Sequence, residues 1–229
     1  KQMGIYYTYE NTPESFDLLC AHIQDFIDKM GDLKTKIYHI NLNISGRVNP
    51  ESGHSYSSFY FSEEPISEIL SKRLNYNVSI DNDTRAMAYG EYMKGIVEGE
   101  KNVIFVNISW GLGIGIIIDG KLYYGKSGFS GEFGHFPIFD NEILCHCGKK
   151  GCLETEASGL AIHRMALERL KNGESSILTD MVKDLEHLTL TDIIKATNME
   201  DTMCIEIVEE VGYKVGKYIA GLINIFNPE

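Results

Sequence analysis

The sequence predicts an α/β protein built around a metal-binding loop, and three observations carry that expectation. Short apolar runs of strand character alternate with stretches whose apolar residues recur at helical spacing. Asp119-Gly120, set between two strand-like runs, is a hairpin signal. Between Ser130 and Glu156 the chain gathers four candidate metal ligands, His135, Cys145, Cys147 and Cys152, with three acidic residues, Glu132, Glu154 and Glu156.

A chain of 229 residues with 43% hydrophobic content can bury one large core or form two lobes. Its formal net charge of −12 argues against this chain itself gripping nucleic acid or an anionic membrane surface, since either needs a clustered positive field. No apolar stretch is long enough to span a bilayer, no signal peptide is present, and the cysteine spacing suits a reducing compartment, so a cytoplasmic location is expected. The chain opens on Lys1 rather than methionine and stops at Asn227-Pro228-Glu229 directly after an apolar helix; both ends read as cut.

In order along the chain, residues 3–9 read as a strand. Thr12-Pro13-Glu14 then starts a helix, with a capping threonine, a proline in the first turn and an acidic residue at the positive end of the dipole. Its apolar face runs through Phe16, Leu19, Cys20, Ile23, Phe26, Ile27 and Met30, which makes Cys20 a core residue rather than a reactive thiol. Residues 37–44 form a buried strand that runs into the turn-rich Ser45-Gly46-Arg47-Val48-Asn49-Pro50. Its place at the C-terminal end of a strand makes Arg47 a candidate ligand contact. Tyr56, Phe59, Tyr60 and Phe61 could form a lid or a sugar-stacking wall, although loop aromatics more often pack locally.

A helix over 65–74, a strand over 77–80 and a helix over 84–97 follow, the last with Ala86, Ala88, Tyr89 and Met93 expected inward. Asp81-Asn82-Asp83 stands where that strand meets that helix, a place that holds a general base rigidly. An N-cap accounts for one of these three residues, not for all. Residues 103–108, 114–118 and 121–125 read as a three-strand meander. Ser109-Trp110-Gly111-Leu112-Gly113 joins the first two, and Gly111 and Gly113 fit either a tight turn or a phosphate loop. Beyond the metal loop, Ser158 caps a helix over 160–170, a polar stretch leads to a short helix at 191–196, and a long helix covers 199–225. Gly212, Gly216 and Gly221 in the last helix predict close packing against a neighbour.

The thiols follow a Cys-x-Cys-x4-Cys spacing, and Gly148 and Gly151 permit the turns that bring the sulfurs together. His135 supplies the fourth corner of a tetrahedral Cys3His site. Inert buried cysteines normally lie in apolar runs, whereas these are flanked by His146, Lys149, Lys150 and glycines. A shell closed by four protein ligands points to a structural zinc, with His146 facing solvent.

Taken together these motifs resemble the ROK family, which groups sugar kinases with sugar-responsive transcriptional repressors. Residues 108–135 (ISWGLGIGIIIDGKLYYGKSGFSGEFGH) look like the family signature, and His135 through Cys152 match its zinc motif. Asn82-Asp83 match its catalytic Asn-Asp, and Gly46-Arg47-Val48-Asn49 is similar to the sugar-contacting loop of N-acetylmannosamine kinases. The resemblance implies an actin/hexokinase-like (RNase H-like) fold, with residues 1–98 as a smaller lobe, 99–229 as a larger one and sugar in the cleft. It implies that Asp83 deprotonates a sugar hydroxyl, that Gly46, Arg47, Asn82, Glu132, His135 and Glu154 contact the sugar, and that His135 serves both zinc and sugar. A homodimer or higher homo-oligomer is implied as well.

Kinases of this family carry an Asp-x-Gly-Gly-Thr phosphate loop that these residues lack, an absence that a cut N-terminus would also produce. They read Gly-Thr-Gly where this chain has Ser109-Trp110-Gly111, so an indole would stand where phosphate oxygens belong. The expectation is therefore the sugar-sensing effector domain of a ROK-type transcriptional regulator, which reaches DNA only through a domain outside this chain and has no membrane partner. The alternative is an ATP-Mg-dependent hexose or N-acetylhexosamine kinase with Asp83 as general base.

Overall fold

The computed structural model describes residues 3–5 and 8–229, which fall into two units, residues 1–98 with 122–130 and residues 99–121 with 131–229. In the first, Thr12 Oγ1 accepts from the Ser15 N–H at 3.2 Å and Pro13 opens α1 (Pro13–Asp28), as the capping signals predict. Strand β1 (Ile40–Ile44) leads to the hairpin of β2 (Val48–Asn49) and β3 (His54–Ser55), and α2 (Ile66–Leu74), β4 (Val78–Asn82) and α3 (Asp83–Lys94) follow. β1 and β4 pair in parallel with Ile44 opposite Asn82, so the next residues, Ser45 and Asp83, leave the sheet together. Phe16 of α1 and Ile66, Leu70 and Leu74 of α2 share one core with Ile44, Val48, Phe59 and Ile80.

The aromatic run divides. Phe59 and Phe61 pack edge-on against Phe16, with ring centroids 5.5 and 5.4 Å away, whereas Tyr60 is exposed. Of the strand expected over residues 3–9, residues 3–5 and 8–9 carry no regular structure, and Tyr6 and Tyr7 lie outside the described residues. Helix α3 turns Ala88 inward as its apolar pattern predicts, but not Tyr89 or Met93. Thr84, Arg85 and Ala88 are buried, while Tyr89 and Met93 are 47% and 52% exposed. Arg85 takes the inner position because its donors find a carboxylate and two backbone carbonyls there.

In the second unit β5 (Val103–Ile108) pairs antiparallel with β6 (Leu112–Ile118), and β7 (Lys121–Leu122) adds the third strand. Asp119 and Gly120 have φ of +51° and +75°, the two left-handed residues that a tight hairpin turn demands. Helices α4 (Gly159–Lys171), α5 (Leu178–Met181), α6 (Leu190–Asn198) and α7 (Thr202–Phe226) complete the unit. α7 runs through three cores: Met203, Cys204 and Ile207 pack with Leu170, Leu178 and Ile193, Val211 and Val215 with Leu112, Leu153 and Ala161, and Leu222 with Ile114 and Ile116. Burial pushes the Cys204 thiol up to about 12 and raises Cys20 as well, so both are packing residues.

The glycines of α7 depart from expectation. No neighbouring atom lies within 4 Å of where a side chain at Gly212, Gly216 or Gly221 would begin, and the helix meets its core through Val211, Val215 and Leu222 instead. No described helix is long and apolar enough to cross a membrane. Phe16 is fully buried, so Phe16→Ala should lower the unfolding free energy by about 3–5 kcal/mol in a denaturant titration. Tyr38, 87% exposed, should tolerate the same change within about 0.5 kcal/mol.

Candidate functional site

Two short pairings shape the cysteine loop: Pro137 bridges to Cys152 and Leu144 to Lys150. Within the second, the Cys145 N–H donates to Lys149 O at 2.8 Å and the Gly148 N–H to Cys145 O at 2.9 Å. Gly148 and Gly151 turn this knuckle at φ of +85° and +70°, as the spacing predicts. The ligand atoms of His135, Cys145, Cys147 and Cys152 all come within 4.8 Å of one another. Cys145 Sγ is 3.5 Å from His135 Nδ1, and Cys147 Sγ is 3.6 Å from Cys152 Sγ. A tetrahedral ion with metal–sulfur bonds of about 2.3 Å and metal–nitrogen bonds of about 2.0–2.1 Å needs its ligands about 3.5–3.8 Å apart. The residues fit a metal, and the cysteines are free rather than paired in a disulfide.

The thiols titrate unevenly. Burial pushes Cys145 up to about 12 and also raises Cys152. For Cys147 burial again opposes the charge, but the Lys149 N–H, the two neighbouring thiols and the Lys149 charge outweigh it and hold this thiol below its ordinary value. A bound cation reverses the sign of such an environment and favours the thiolates.

Directly after Cys152, a 3₁₀ turn (Leu153–Thr155) buries Glu154 to 6% exposure. Its Oε2 accepts from the Leu112 N–H at 2.9 Å, which ties the metal loop to the start of β6. Gly111 is needed beside it, because a Cβ there would fall 2.7 Å from that oxygen. His146 is exposed, as expected, yet its Nδ1 lies 3.1 Å from Glu154 Oε1 and its ring stands edge-on to His135. Burial works against the Glu154 charge, but His146 and the Leu112 N–H outweigh it and hold the carboxyl below the usual range. The hydrogen bond that His146 donates to Glu154 in turn raises His146. Glu132 approaches His135 Nε2 at 3.7 Å, on the ring nitrogen that does not face the thiols. Glu156 is a structural group, bound by Lys214 at 2.7 Å and Asn141 at 2.9 Å.

In the first unit, Asn82 is both cap and tie. Its Oδ1 accepts from the Arg85 N–H at 3.0 Å, and its Nδ2 donates to Gly46 O at 2.9 Å. Asp83 accepts from Ser45 Oγ at 2.6 Å on one oxygen and from the Thr84 N–H at 2.7 Å on the other. Gly46, at φ +89°, abuts Ser57, and the backbone N–H of the exposed Arg47 donates to Ser57 Oγ at 2.9 Å. Sequence reasoning passed over Ser45 and Arg85. The strand register would have found the first, and an Arg four residues after Asp81 at a helix start was the available signal for the second.

The turn between β5 and β6 packs on the start of α4. The Gly159 and Leu160 N–H groups donate to Ser109 O at 2.8 Å and Trp110 O at 2.9 Å, and Ser158 Oγ accepts from Ala161 N–H at 3.2 Å. The half-exposed Trp110 ring lies 5.4 Å from His163.

Over residues 6–229 the sequence matches the profile of the ROK family. The chain belongs to the ROK family. ROK relatives of two kinds are similar to it. A glucokinase of Halalkalibacterium halodurans is 32% identical over 96% of this chain and 68% of its own length. The DNA-binding transcriptional dual regulator NagC of Escherichia coli K12 is 34% identical over 96% of this chain and 54% of its own. Among solved structures, a ROK glucokinase from Streptomyces griseus in complex with glucose and AMPPNP superposes with a TM-score of 0.83 at 27% identity, over 96% of this chain and 70% of that one. A ROK family transcriptional regulator, a homologue of the E. coli MLC protein, gives 0.76 at 30% identity over 93% and 54%. The fold is the actin/hexokinase-like α/β fold of these ROK proteins, and the chain spans about half the length of the ROK regulators it matches.

Cys145→Ser and His135→Ala should each lower bound metal about tenfold or more in elemental analysis after dialysis. Metal should also leave the wild-type protein as pH falls, because protons compete for the thiolates.

Proposed function

We propose that this chain is the sugar-sensing effector domain of a ROK transcriptional regulator, that its ligand is a hexose or N-acetylhexosamine, and that its Cys3His loop holds a structural zinc. One observation carries the sensor reading. The turn that would cradle a nucleotide's phosphates bears Trp110, its ring tilted against His163, and the three leading amides of α4 are already bonded within the protein. Free amides at a helix N-terminus hold anions; amides bonded to Ser109 O, Trp110 O and Ser158 Oγ do not offer that service.

Asn82, Asp83, Gly46 and Arg47 of the first unit, and Glu132, His135 and Glu154 of the second, are the proposed sugar contacts. Sugar hydroxyls donate to carboxylates and accept from amide and guanidinium groups, which suits this set. With Nδ1 of His135 turned to the thiols, the sugar would meet the ring at Nε2, beside Glu132, in a tautomer set by the metal. Three sulfurs and one imidazole gathered within 4.8 Å of one another, enough to fill four corners, favour zinc in a structural role over the hard, oxygen-seeking cations. DNA would be contacted by a domain outside this chain, and assembly would be as a homodimer or higher homo-oligomer; the length and name of NagC support the first of these.

The kinase reading has its own support. Ser45 Oγ and the Thr84 N–H hold both Asp83 oxygens in place, and the Streptomyces griseus glucokinase shares the fold. On that reading Asp83 takes the proton of a sugar hydroxyl as it attacks the terminal phosphoryl group of ATP.

A thermal-shift screen of hexoses, N-acetylhexosamines and their 6-phosphates, beside a coupled ATP-Mg assay, separates the two. The sensor reading expects a rise in melting temperature with a sugar, none with AMPPNP, and no turnover. Robust phosphorylation overturns it. Glu132→Ala should abolish the sugar shift. His135→Ala should lose zinc and sugar together, and a variant that keeps sugar affinity without zinc breaks the shared role of that imidazole.

A further inference from the structure

Arg85 lies on the inner face of α3 at 2% exposure, and none of the sugar roles above employs it. A buried guanidinium is tolerated only where its donors are met. Here Nε and one terminal nitrogen each lie 2.8 Å from Asp81 Oδ1, and the terminal nitrogens donate to Gly128 O at 2.6 Å and Val48 O at 3.0 Å. The Tyr124 ring lies against the guanidinium, 5.3 Å away, and its hydroxyl donates to Asp81 Oδ2 at 3.2 Å. Gly128 comes so close to β2 that a Cβ would fall 2.7 Å from Val48 O. One side chain thus joins the end of β4, the loop after β1 and the segment 122–130.

Each of these pieces adjoins proposed sugar contacts. Val48 directly follows Gly46 and Arg47, Asp81 directly precedes Asn82 and Asp83, and segment 122–130 runs on into Gly131 and Glu132. We infer that Arg85 is the positioning residue of the sugar site: it holds the Gly46-Arg47 loop in register with Asn82-Asp83 and couples both to the segment that leads into Glu132. The inference rests on the sugar reading above and adds to it a route by which occupancy is transmitted along the chain. Lysine cannot substitute, because one ammonium on a flexible stem does not meet a carboxylate and two carbonyls in a planar fork.

The test combines calorimetric titration with hydrogen–deuterium exchange on wild type, Arg85→Lys and Tyr124→Phe, with glucose, N-acetylglucosamine and N-acetylmannosamine as probes. Wild type should bind one of these sugars, and binding should slow exchange of the 122–130 amides. Arg85→Lys should bind that sugar about tenfold to a hundredfold more weakly, and at saturation its 122–130 amides should exchange as fast as without sugar. Tyr124→Phe keeps the guanidinium and should lose affinity by about threefold. A purely structural role would lower the melting temperature of Arg85→Lys while leaving affinity and 122–130 protection as in wild type, and that result overturns the inference. If Arg85→Lys does not fold, Tyr124→Phe decides: wild-type affinity and protection in that variant overturn the inference, and a fall in both supports it. A wild type that binds none of the probes is a separate result, which overturns the sugar reading and the role of Arg85 with it.

Discussion

The second unit depends on bringing three sulfurs and an imidazole within 4.8 Å of one another in a loop that has little apolar core of its own. Phe136 and Leu144 in this loop are 61% and 67% exposed while Ile138, Phe139 and Leu153 pack on the core, so hydrophobic burial holds only part of its shape. Knuckle hydrogen bonds around Cys145 brace the rest, and a cation held by the cluster would brace it further. The consequences propagate through adjacent residues: Cys152 leads straight into the turn that buries Glu154, and His135 is itself both a member of the cluster and the neighbour of Glu132. The four-residue cluster is thus linked through the chain to both Glu132 and Glu154.

In the first unit the corresponding constraint is a buried charge. Asp81 and Arg85 neutralise one another, and the donors left over on the guanidinium reach two backbone carbonyls that would otherwise need partners of their own. Asp83, two residues on, keeps both oxygens hydrogen-bonded, which suits a sugar contact and a general base alike. The proposed sensor reading rests elsewhere, on the turn between β5 and β6, where an indole lies beside His163 and the backbone carbonyls accept from the leading amides of α4.

Legibility followed the range of the interactions. The caps at Thr12 and Ser158 and the Asp119-Gly120 turn were readable because each is decided within a few residues. The strand over residues 3–9 was not found in the residues described there, and apolar composition alone did not supply a partner for it. Tyr89 and Met93 were misplaced because periodicity assumes that the apolar side faces in, whereas Arg85 found better partners there than either side chain could. The α7 glycines predict a packed neighbour that the described residues do not provide.

By itself the sequence determined the alternation of elements, the four candidate metal ligands and the family signature, because spacing and residue type suffice for each. Only the tertiary structure decided that Glu154 ties the metal loop to Leu112, that exposed His146 turns one nitrogen to that carboxylate, and that Arg85 joins Val48 to Gly128. The bonds to Leu112, Val48 and Gly128 span 42, 37 and 43 positions, and chain folding rather than local pattern sets which distant carbonyl, amide or carboxylate comes within reach.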